Sequence, residues 1–232
     1  LKTENQNFQR TSSEYFANIP GAPRCSWAQV MTLNVSSNLE KVDTRAVKGL
    51  DSGGNLEMFA RQWFEVARSL SCHSSDDRDG KKWFPLSKGG RFRRWYGNND
   101  FVINYGQNGK DLRANNANLR SEKMYFTDGI TWSVISTDGF GVRKLPANSL
   151  FDQVGSAIHC GEDDKLYLGD ILGSLNTKFV SEISMQISPT ITFTTGDIRK
   201  FPLWKMTDGG KLVDTCVQLA KSDWDDFETS WD

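Results

Sequence analysis

Residues 163–187 read DDKLYLGDILGSLNTKFVSEISMQI, and this stretch decides the fold class more than any other. Its large apolar residues recur at spacings of four, three, four and four: Leu168, Leu172, Leu175, Phe179 and Ile183. Such spacing places them on one face of an amphipathic helix that packs on a sheet. Asp163 and Asp164 stand where the helix dipole favours anions, and Pro189 follows the pattern. We therefore expect one long helix here.

Strand patterns lie on both sides of this helix in the sequence. Residues 101–105 (FVINY) stand between an Asn-Asn-Asp segment and a Gly-rich turn, and residues 130–136 (ITWSVIS) alternate apolar and polar positions. Weaker patterns predict further strands at 58–66, 140–143, 149–151 and 191–193, a turn at 196–198, and helices at 26–33 and from about Gly210. Because strands and helices mix without a βαβ rhythm, the sequence predicts an α+β (mixed α/β) fold.

Composition limits the class of protein further. The 232 residues are 38% hydrophobic and 12% aromatic, which is enough for a packed core. A net charge of −1 excludes a chain held on polyanions by its total charge, so any such partner must meet a local patch. No apolar run approaches the roughly 18–20 residues that cross a bilayer. The start, Leu1-Lys2-Thr3, lacks Met and suggests a cut inside a longer protein.

The cysteines and histidines give no pattern of a metal or disulfide site. The four cysteines (Cys25, Cys72, Cys160 and Cys216) and the two histidines (His73 and His159) are scattered, without a C-x-x-C pair. Solitary thiols fit a reducing cytoplasm, in which cysteine acts as a small core residue. We therefore predict a cytoplasmic protein and no metal site.

The strongest electrostatic feature is residues 81–99, KKWFPLSKGGRFRRWYGNN. They contain six cations and no acid, five interleaved aromatic residues and the pair Gly89-Gly90, and an amide-rich segment follows. Phosphates are bound by cations and base edges by Arg, Asn or Gln, while aromatic rings can stack or anchor the segment. A basic run is also often just a solvated face. Nucleic-acid binding and that simpler interpretation stay open at this point.

The end of the chain has the opposite character. Residues 223–232 contain five acids and no base, with Trp224, Phe227 and Trp231 at helical spacing. We interpret them as a helix that docks on a neighbouring domain, and an acidic metal site is the weaker alternative. The sequence thus predicts a domain over residues 1–205 and a C-terminal helical extension over 206–232.

Common catalytic motifs are missing from the sequence. It has no Walker loop, no G-x-G-x-x-G after a strand, no G-x-S-x-G and no H-E-x-x-H. The Pro-Pro-aromatic catalytic loop and the Phe-x-Gly-x-Gly methyl-donor loop of amino-group DNA methyltransferases are also missing. For a nuclease, Asp111, Glu122 and Lys123 are the nearest approach to the required acids and lysine, and their spacing is poor. We expect no catalytic residues in this chain.

Several segments in order nevertheless resemble one family. The segments that resemble the PglX family are residues 83–99 (which begin with WFP), FVINY at 101–105, YFTDGITWS at 125–133, FGVR at 140–143, ILGSLNTK at 171–178, SPT at 188–190 and GDI at 196–198. IPGAP at 19–23 and the segment from Asp223 to Trp231 extend the resemblance to both ends. The members of the PglX family are large adenine-specific DNA methyltransferases of the BREX phage-defence system, related to fused restriction–modification enzymes. Ser188 stands where the family usually has Asn, and the Gly-rich segment 49–55 is diverged.

The resemblance implies a role in DNA specificity. In the family these segments follow the catalytic domain and contain the target recognition domain, whereas the S-adenosylmethionine site lies upstream. This chain would then bind double-stranded DNA without a cofactor of its own. Its partners would be the catalytic domain of the same polypeptide and other phage-defence components.

Ten residues are candidates for the DNA contacts. For backbone contacts we predict the cations Lys88, Arg91, Arg93, Arg94, Lys110 and Arg113. Asn98 and Asn99 are candidates for polar contacts, and Thr194 and Thr195 are weaker ones. Two other functions stay open: a protein- or glycan-binding module that uses exposed Trp and Asn residues, and a stand-alone hydrolase.

Overall fold

The structure is a computed structural model that describes residues 39–226 except 75, 162–166, 189 and 208–209. Four features predicted from the sequence lie outside these residues. They are the helix at 26–33, the first residues of the 163–187 helix, Pro189 and the acidic end from residue 227 onward.

The first sheet carries the basic segment. Its strands are β3 (Ala60–Gln62), β4 (Trp83–Ser87), β5 (Phe101–Asn104) and β8 (Leu150–Phe151), in the order β3-β5-β4-β8 among the residues that the structure covers. β4 and β5 form an antiparallel hairpin in which Trp83 lies opposite Asn104 and Leu86 opposite Phe101, while β8 pairs with β4 in parallel. Helices α1 (Leu56–Phe59) and α2 (Gly106–Ala114) flank this sheet. Its core contains Phe59, Phe84, Ile103, Leu112 and Phe151.

The second sheet carries most of the helices. Its strands are β2 (Ala46–Val47), β6 (Gly129–Trp132), β7 (Val142–Leu145) and β9 (Ala157–Ile158), paired antiparallel in the order β2-β9-β6-β7. The helices that follow are α3 (Leu168–Leu175), α4 (Lys178–Ile187), α5 (Thr195–Ile198) and α6 (Lys211–Asp225). β1 (Glu40–Lys41) pairs with β10 (Pro202–Leu203) beside them. Their common core includes Trp132, Ile171, Val180, Phe201 and Val213.

The predicted long helix is two helices, α3 and α4. Asn176 interrupts it because its side chain accepts from Val142 N at 3.0 Å and donates to Val142 O at 3.0 Å. Thr177 then caps α4, with its side chain accepting from Val180 N at 3.3 Å. The apolar stripe was predicted correctly, since all five of its residues belong to or pack against one core. The single-helix prediction was wrong because a polar side chain bonds to the sheet at the middle of the stripe.

The strand predictions had mixed outcomes. Strands lie at three of the predicted places, as β5 (Phe101–Asn104), β8 (Leu150–Phe151) and β6 (Gly129–Trp132). The strand predicted at 140–143 begins two residues later, as β7 (Val142–Leu145). Residues 58–66 were wrongly predicted as one strand, because they contain the end of α1, then β3, then a 3-10 turn at Trp63–Glu65. Residues 191–193 contribute an isolated bridge between Thr192 and Ile135. Residues 196–198 belong to α5 rather than to a turn.

The α+β class is confirmed by this mixture of sheets and helices. The predicted helix from about Gly210 is α6, which contributes Val213 to the core and contacts α3. The boundary at residue 205 stays a prediction. Within the described part of the chain, no helix is long and apolar enough to span a bilayer.

Candidate nucleic-acid interface

Residues 88–99, called the basic loop here, connect β4 to β5. The loop begins with Gly89 and Gly90 at φ 82° and 107°, a left-handed conformation that glycine adopts without strain. Asn98 closes it from the other side, since its amide nitrogen donates to Gly89 O at 3.0 Å and to Arg91 O at 2.8 Å. Asn98 is only 8% exposed. Both donors of this predicted contact residue are therefore used to shape the loop itself.

The loop is also fixed to the second sheet. Trp95 N donates to Val142 O at 2.9 Å, and Lys144 N donates to Trp95 O at 2.8 Å, so the loop runs beside β7. Beneath it lies Arg143, which is 1% exposed and donates to Ser133 Oγ at 3.3 Å and to Gly89 O at 3.4 Å. Burial lowers the pKa of Arg143 to about 10, and the neighbouring charge of Arg93 acts in the same direction.

The three arginines of the loop differ in accessibility. Arg91 is exposed and has no partner among the described residues. Arg93 is held by α6, with its Nη1 atom 3.4 Å from Asp223 Oδ2 and its guanidinium 4.8 Å from the Trp224 ring centroid. Arg94 is half-buried over the Phe92 ring, and its Nε is buried without a hydrogen-bond partner in the described part of the chain. Arg91 is thus the arginine of the loop that an incoming phosphate can reach directly.

Lys88 lies at the start of the loop and is half-buried. Its ammonium is 4.4 Å from the centroid of the Phe101 ring. Beside it, Asp152 is 4% exposed and accepts from Val154 N at 2.8 Å and from Gly155 N at 2.6 Å. Burial raises the pKa of Asp152 to about 6, although the two N–H groups and Lys88 act in the opposite direction.

Lys110 lies at the opposite end of the β4–β5 hairpin from the basic loop. It is exposed and lines a cleft of about 630 Å³ between the segment that precedes β4 and the start of α2. We call this the lysine cleft; its lining includes Arg78, Asp79, Lys81, Lys82, Phe84, Asn104, Tyr105, Gln107, Asn108, Lys110, Asp111 and Phe126. The structure therefore separates Lys110 from Lys88 and the arginines by the length of the hairpin.

Arg113 and the two threonines are engaged in local contacts. Arg113 is paired with Glu122, and its Nε donates to Asn108 O at 3.2 Å. Thr194 is the N-cap of α5, with its hydroxyl 2.6 Å from Asp197 Oδ2, and Thr195 is buried. Both threonines lie with the second sheet, because the carbonyl of the adjacent Phe193 accepts from the ring nitrogen of Trp132. They do not join the basic loop or the lysine cleft.

Asn99 lines a second cleft, of about 480 Å³, with Arg68, His73, Tyr96, Asn148 and Lys221. Its amide nitrogen is buried and has no hydrogen-bond partner among the residues that the structure covers. An unpaired buried donor is costly, and it favours a ligand that supplies an acceptor. Of the two predicted asparagines, Asn99 is the one whose amide nitrogen is not already used by another described residue.

The tryptophans do not form a binding platform in the described part of the chain. Trp132 and Trp224 are buried, and Trp63, Trp83, Trp95 and Trp204 are half-buried. Sugar platforms need open ring faces, so these six residues give the glycan-binding alternative no support. Among the same described residues, no group of three or more His, Cys, Asp or Glu could hold a metal ion.

Sequence reasoning missed two features of this region. The sequence did not indicate that Arg143 is buried beneath the basic loop, because a lone Arg in a strand pattern is usually exposed. Lys82 and Arg78 were not selected as contact residues, although Lys82 belongs to the basic segment and both flank a charged Asp-Gly connection.

Comparison with known proteins gives two relatives. No family model matches the chain. Over 97% of its length the chain is 43% identical to the adenine-specific methyltransferase BrxX of Escherichia coli O9:H4 (strain HS). Over its whole length it is 33% identical to the adenine-specific methyltransferase PglX of Lacticaseibacillus casei (strain Zhang). It spans 18% and 20% of these two proteins, respectively.

Proposed function

We propose that this chain, which is homologous to one segment of the PglX-family adenine-specific methyltransferases, recognises duplex DNA on behalf of such an enzyme. The expected resemblance is confirmed by the two relatives, and the chain spans about a fifth of each. In this proposal the methyl transfer and its donor, S-adenosylmethionine, belong to a catalytic domain of the same polypeptide. The marking of host DNA in phage defence is the biological role that fits.

The observation that carries the proposal is the charge distribution on the β4–β5 hairpin. A chain of net charge −1 places exposed Arg91 and half-buried Lys88 at one end of the hairpin, and Lys82 and Lys110 at the other. The paired part of the hairpin, from Trp83 to Leu86, is about 10 Å long at about 3.3 Å per residue. A duplex carries one phosphate charge per about 1.7 Å of its axis, so one DNA site can meet both ends.

The rigidity of the basic loop also supports the proposal. Asn98, Arg143 and the backbone of Trp95 fix the loop before any ligand binds. A preorganised loop loses little conformational entropy on association, which favours affinity and a defined register on the duplex. The unpaired Asn99 amide is a candidate for a base-edge or phosphate contact next to that loop.

The test uses the complete natural polypeptide and a duplex that contains its methylation site. Lys88→Ala combined with Arg91→Ala is expected to lower the affinity about tenfold or more. The slope of log affinity against log salt should become shallower by about 0.9 for each phosphate that the variant no longer neutralises. The matched control is Lys178→Ala combined with Lys205→Ala, which removes the same charge at two exposed positions away from the loop.

Fluorescence anisotropy at several salt concentrations measures affinity and slope, and sequencing of modified adenines measures methylation. Equal affinity and equal slope for the loop variant and the control would refute DNA contact by the basic loop. A glycan panel measured in parallel tests the alternative of a sugar-binding module. Release of DNA fragments with Mg²⁺ would instead support the hydrolase alternative.

A further inference from the structure

The lysine cleft has more positive than negative groups in its lining. Four cations face two carboxylates: Arg78, Lys81, Lys82 and Lys110 against Asp79 and Asp111. Three of these charges are already engaged. The Arg78 guanidinium lies 4.8 Å from the Phe126 ring centroid, Lys81 pairs with Asp77 at 3.2 Å, and Asp111 accepts from the Asn104 amide at 2.9 Å. Among the described residues, the Lys110 ammonium has no partner and the Lys82 ammonium contacts only the Trp83 ring, at 5.3 Å. Two ammonium groups therefore remain for an anion.

Two amides lie beside these ammonium groups. The first part of α2 is not right-handed helix: Gln107 and Asn108 have φ of 53° and 56°, and with Gly109 at 73° they form three successive left-handed residues. This conformation costs a residue with a side chain about 1–2 kcal/mol, and such strain is concentrated at functional sites. The turn is held by Gly109 N donating to Tyr105 O and Arg113 Nε donating to Asn108 O. The side-chain amides of Gln107 and Asn108 have no partner among the residues that the structure describes.

The inner part of the cleft is aromatic. Phe84, Tyr105 and Phe126 line it, and their ring centroids lie 5.5–5.9 Å apart. A volume of about 630 Å³ falls within the range of small-ligand sites, roughly 300–1,000 Å³, and far exceeds a bare phosphate. Phe84 and Tyr105 are buried, so these rings form an apolar wall rather than open stacking faces. A ligand that fits both parts of the cleft combines an oxyanion with an apolar body that packs on this wall.

We propose that the lysine cleft binds a nucleotide unit, with its phosphate held by Lys82 and Lys110 and by the amides of Gln107 and Asn108. Two ammonium groups and two amides offer more donors than a two-oxygen carboxylate can use, and they suit a phosphate. The phosphate can come from a DNA strand or from a free nucleotide. Only the first source rests on the proposed function, and it would place a second backbone contact at the end of the hairpin opposite the basic loop.

The experiment compares four forms of the complete natural polypeptide: the wild type, Lys82→Ala with Lys110→Ala, Lys82→Arg with Lys110→Arg, and the control Lys178→Ala with Lys205→Ala. Each is titrated with a duplex oligonucleotide by anisotropy at several salt concentrations and with AMP and ATP by calorimetry. Circular dichroism checks folding. Lys110→Ala alone, which changes one exposed side chain, replaces the double variant if that variant does not fold.

The proposal predicts a loss of at least about tenfold in one titration for the alanine pair and little change for the arginine pair or the control. Loss of duplex affinity together with a shallower salt slope identifies a DNA strand as the source. Loss of AMP or ATP binding with unchanged duplex affinity identifies a free nucleotide and leaves the basic-loop proposal intact. If the alanine pair binds duplex and nucleotides as the wild type does, or if the wild type binds neither, the proposal is overturned.

Discussion

The guanidinium of Arg93 lies 4.8 Å from the centroid of the Trp224 ring, and its Nη1 lies 3.4 Å from Asp223 Oδ2. Arg93 and Asp223 are 130 positions apart, so the contact joins the basic loop to the last described helix. Gly97 makes room for it, because a Cβ at this position would lie 2.9 Å from Trp224. Asp223 and Trp224, at the start of the acidic segment, thus contact the basic loop within one molecule.

We expect Trp224→Ala to lower the free energy of unfolding by about 3–5 kcal/mol, since it removes a large buried side chain and leaves a cavity against Arg93 and Gly97. Trp224→Phe keeps a ring and should cost clearly less. Urea unfolding monitored by circular dichroism measures both variants. Equal stability of the alanine variant and the wild type would show that α6 does not anchor the loop.

We expect Asp223→Asn to change stability by less than about 1 kcal/mol, because Asp223 is 70% exposed and solvent screens its pair with Arg93. The substitution removes a carboxylate that competes with phosphate for Arg93, while the contact of Arg93 with the Trp224 ring remains. The salt slope of duplex affinity should therefore become steeper by up to about 0.9. Asp214→Asn, which removes an exposed acid from the same helix, is the control. An identical increase in both variants would mean that total charge, and not Arg93, sets the slope.

We expect Asn98→Asp to destabilise the protein by about 1–3 kcal/mol, because a carboxylate would replace the donor that bonds to the carbonyls of Gly89 and Arg91. Duplex affinity should fall with it, since the basic loop would no longer be closed by this side chain. The control is Asn55→Asp at an exposed position before α1. Chemical denaturation and anisotropy measure the two effects, and a stable variant with a normal loop would contradict the role given to Asn98.

We expect Asp152→Asn to remove part of the pH dependence of stability. Burial raises the pKa of Asp152 to about 6, above about 3.9 in an unfolded chain. Between these values the folded protein binds more protons than the unfolded chain, so its free energy of unfolding falls as pH rises from about 4 to about 6.

The amide keeps an acceptor for Val154 N and Gly155 N but carries no charge. Relative to the wild type, the variant should therefore gain about 2–3 kcal/mol between pH 4 and pH 7. Urea unfolding at one-unit pH steps measures this difference, with Asp138→Asn at an exposed position as the control. A constant difference across that range would disprove the raised pKa.

We expect Gly155→Ala to be strongly destabilising, because its Cβ would lie 2.3 Å from Ser87 O and 2.7 Å from Gly89 N. The clash is with backbone atoms at the start of the basic loop, so the loop must shift. Gly169→Ala in α3 is the matched control, because no described residue outside its own helix turn lies within 4 Å of the new Cβ. It should stabilise the helix by about 0.5–1 kcal/mol. Thermal melting distinguishes the two outcomes.

The local sequence pattern was sufficient to predict the α+β class, β5, α6 and the apolar stripe on α3 and α4. Each of these depends on residues close together in sequence, whose spacing sets which face is buried. The break at Asn176 could not be predicted in this way, because its cause is a pair of hydrogen bonds to Val142, 34 positions earlier. The strand prediction for residues 58–66 was wrong because closely spaced aromatic residues are compatible with both a strand and a tight turn.

The sequence by itself determined that residues 81–99, around β4, contain six cations and no acid, since charge content and order are properties of the chain. Only the tertiary structure decided which of those cations reach solvent. In the folded protein Arg91 is exposed, whereas Arg93 packs against α6. The tertiary structure turned the Asn98 amide inward and set Lys82 and Lys110 together at the far end of the hairpin. The physical reason is that access and pairing depend on contacts between residues distant in sequence, which local spacing does not encode.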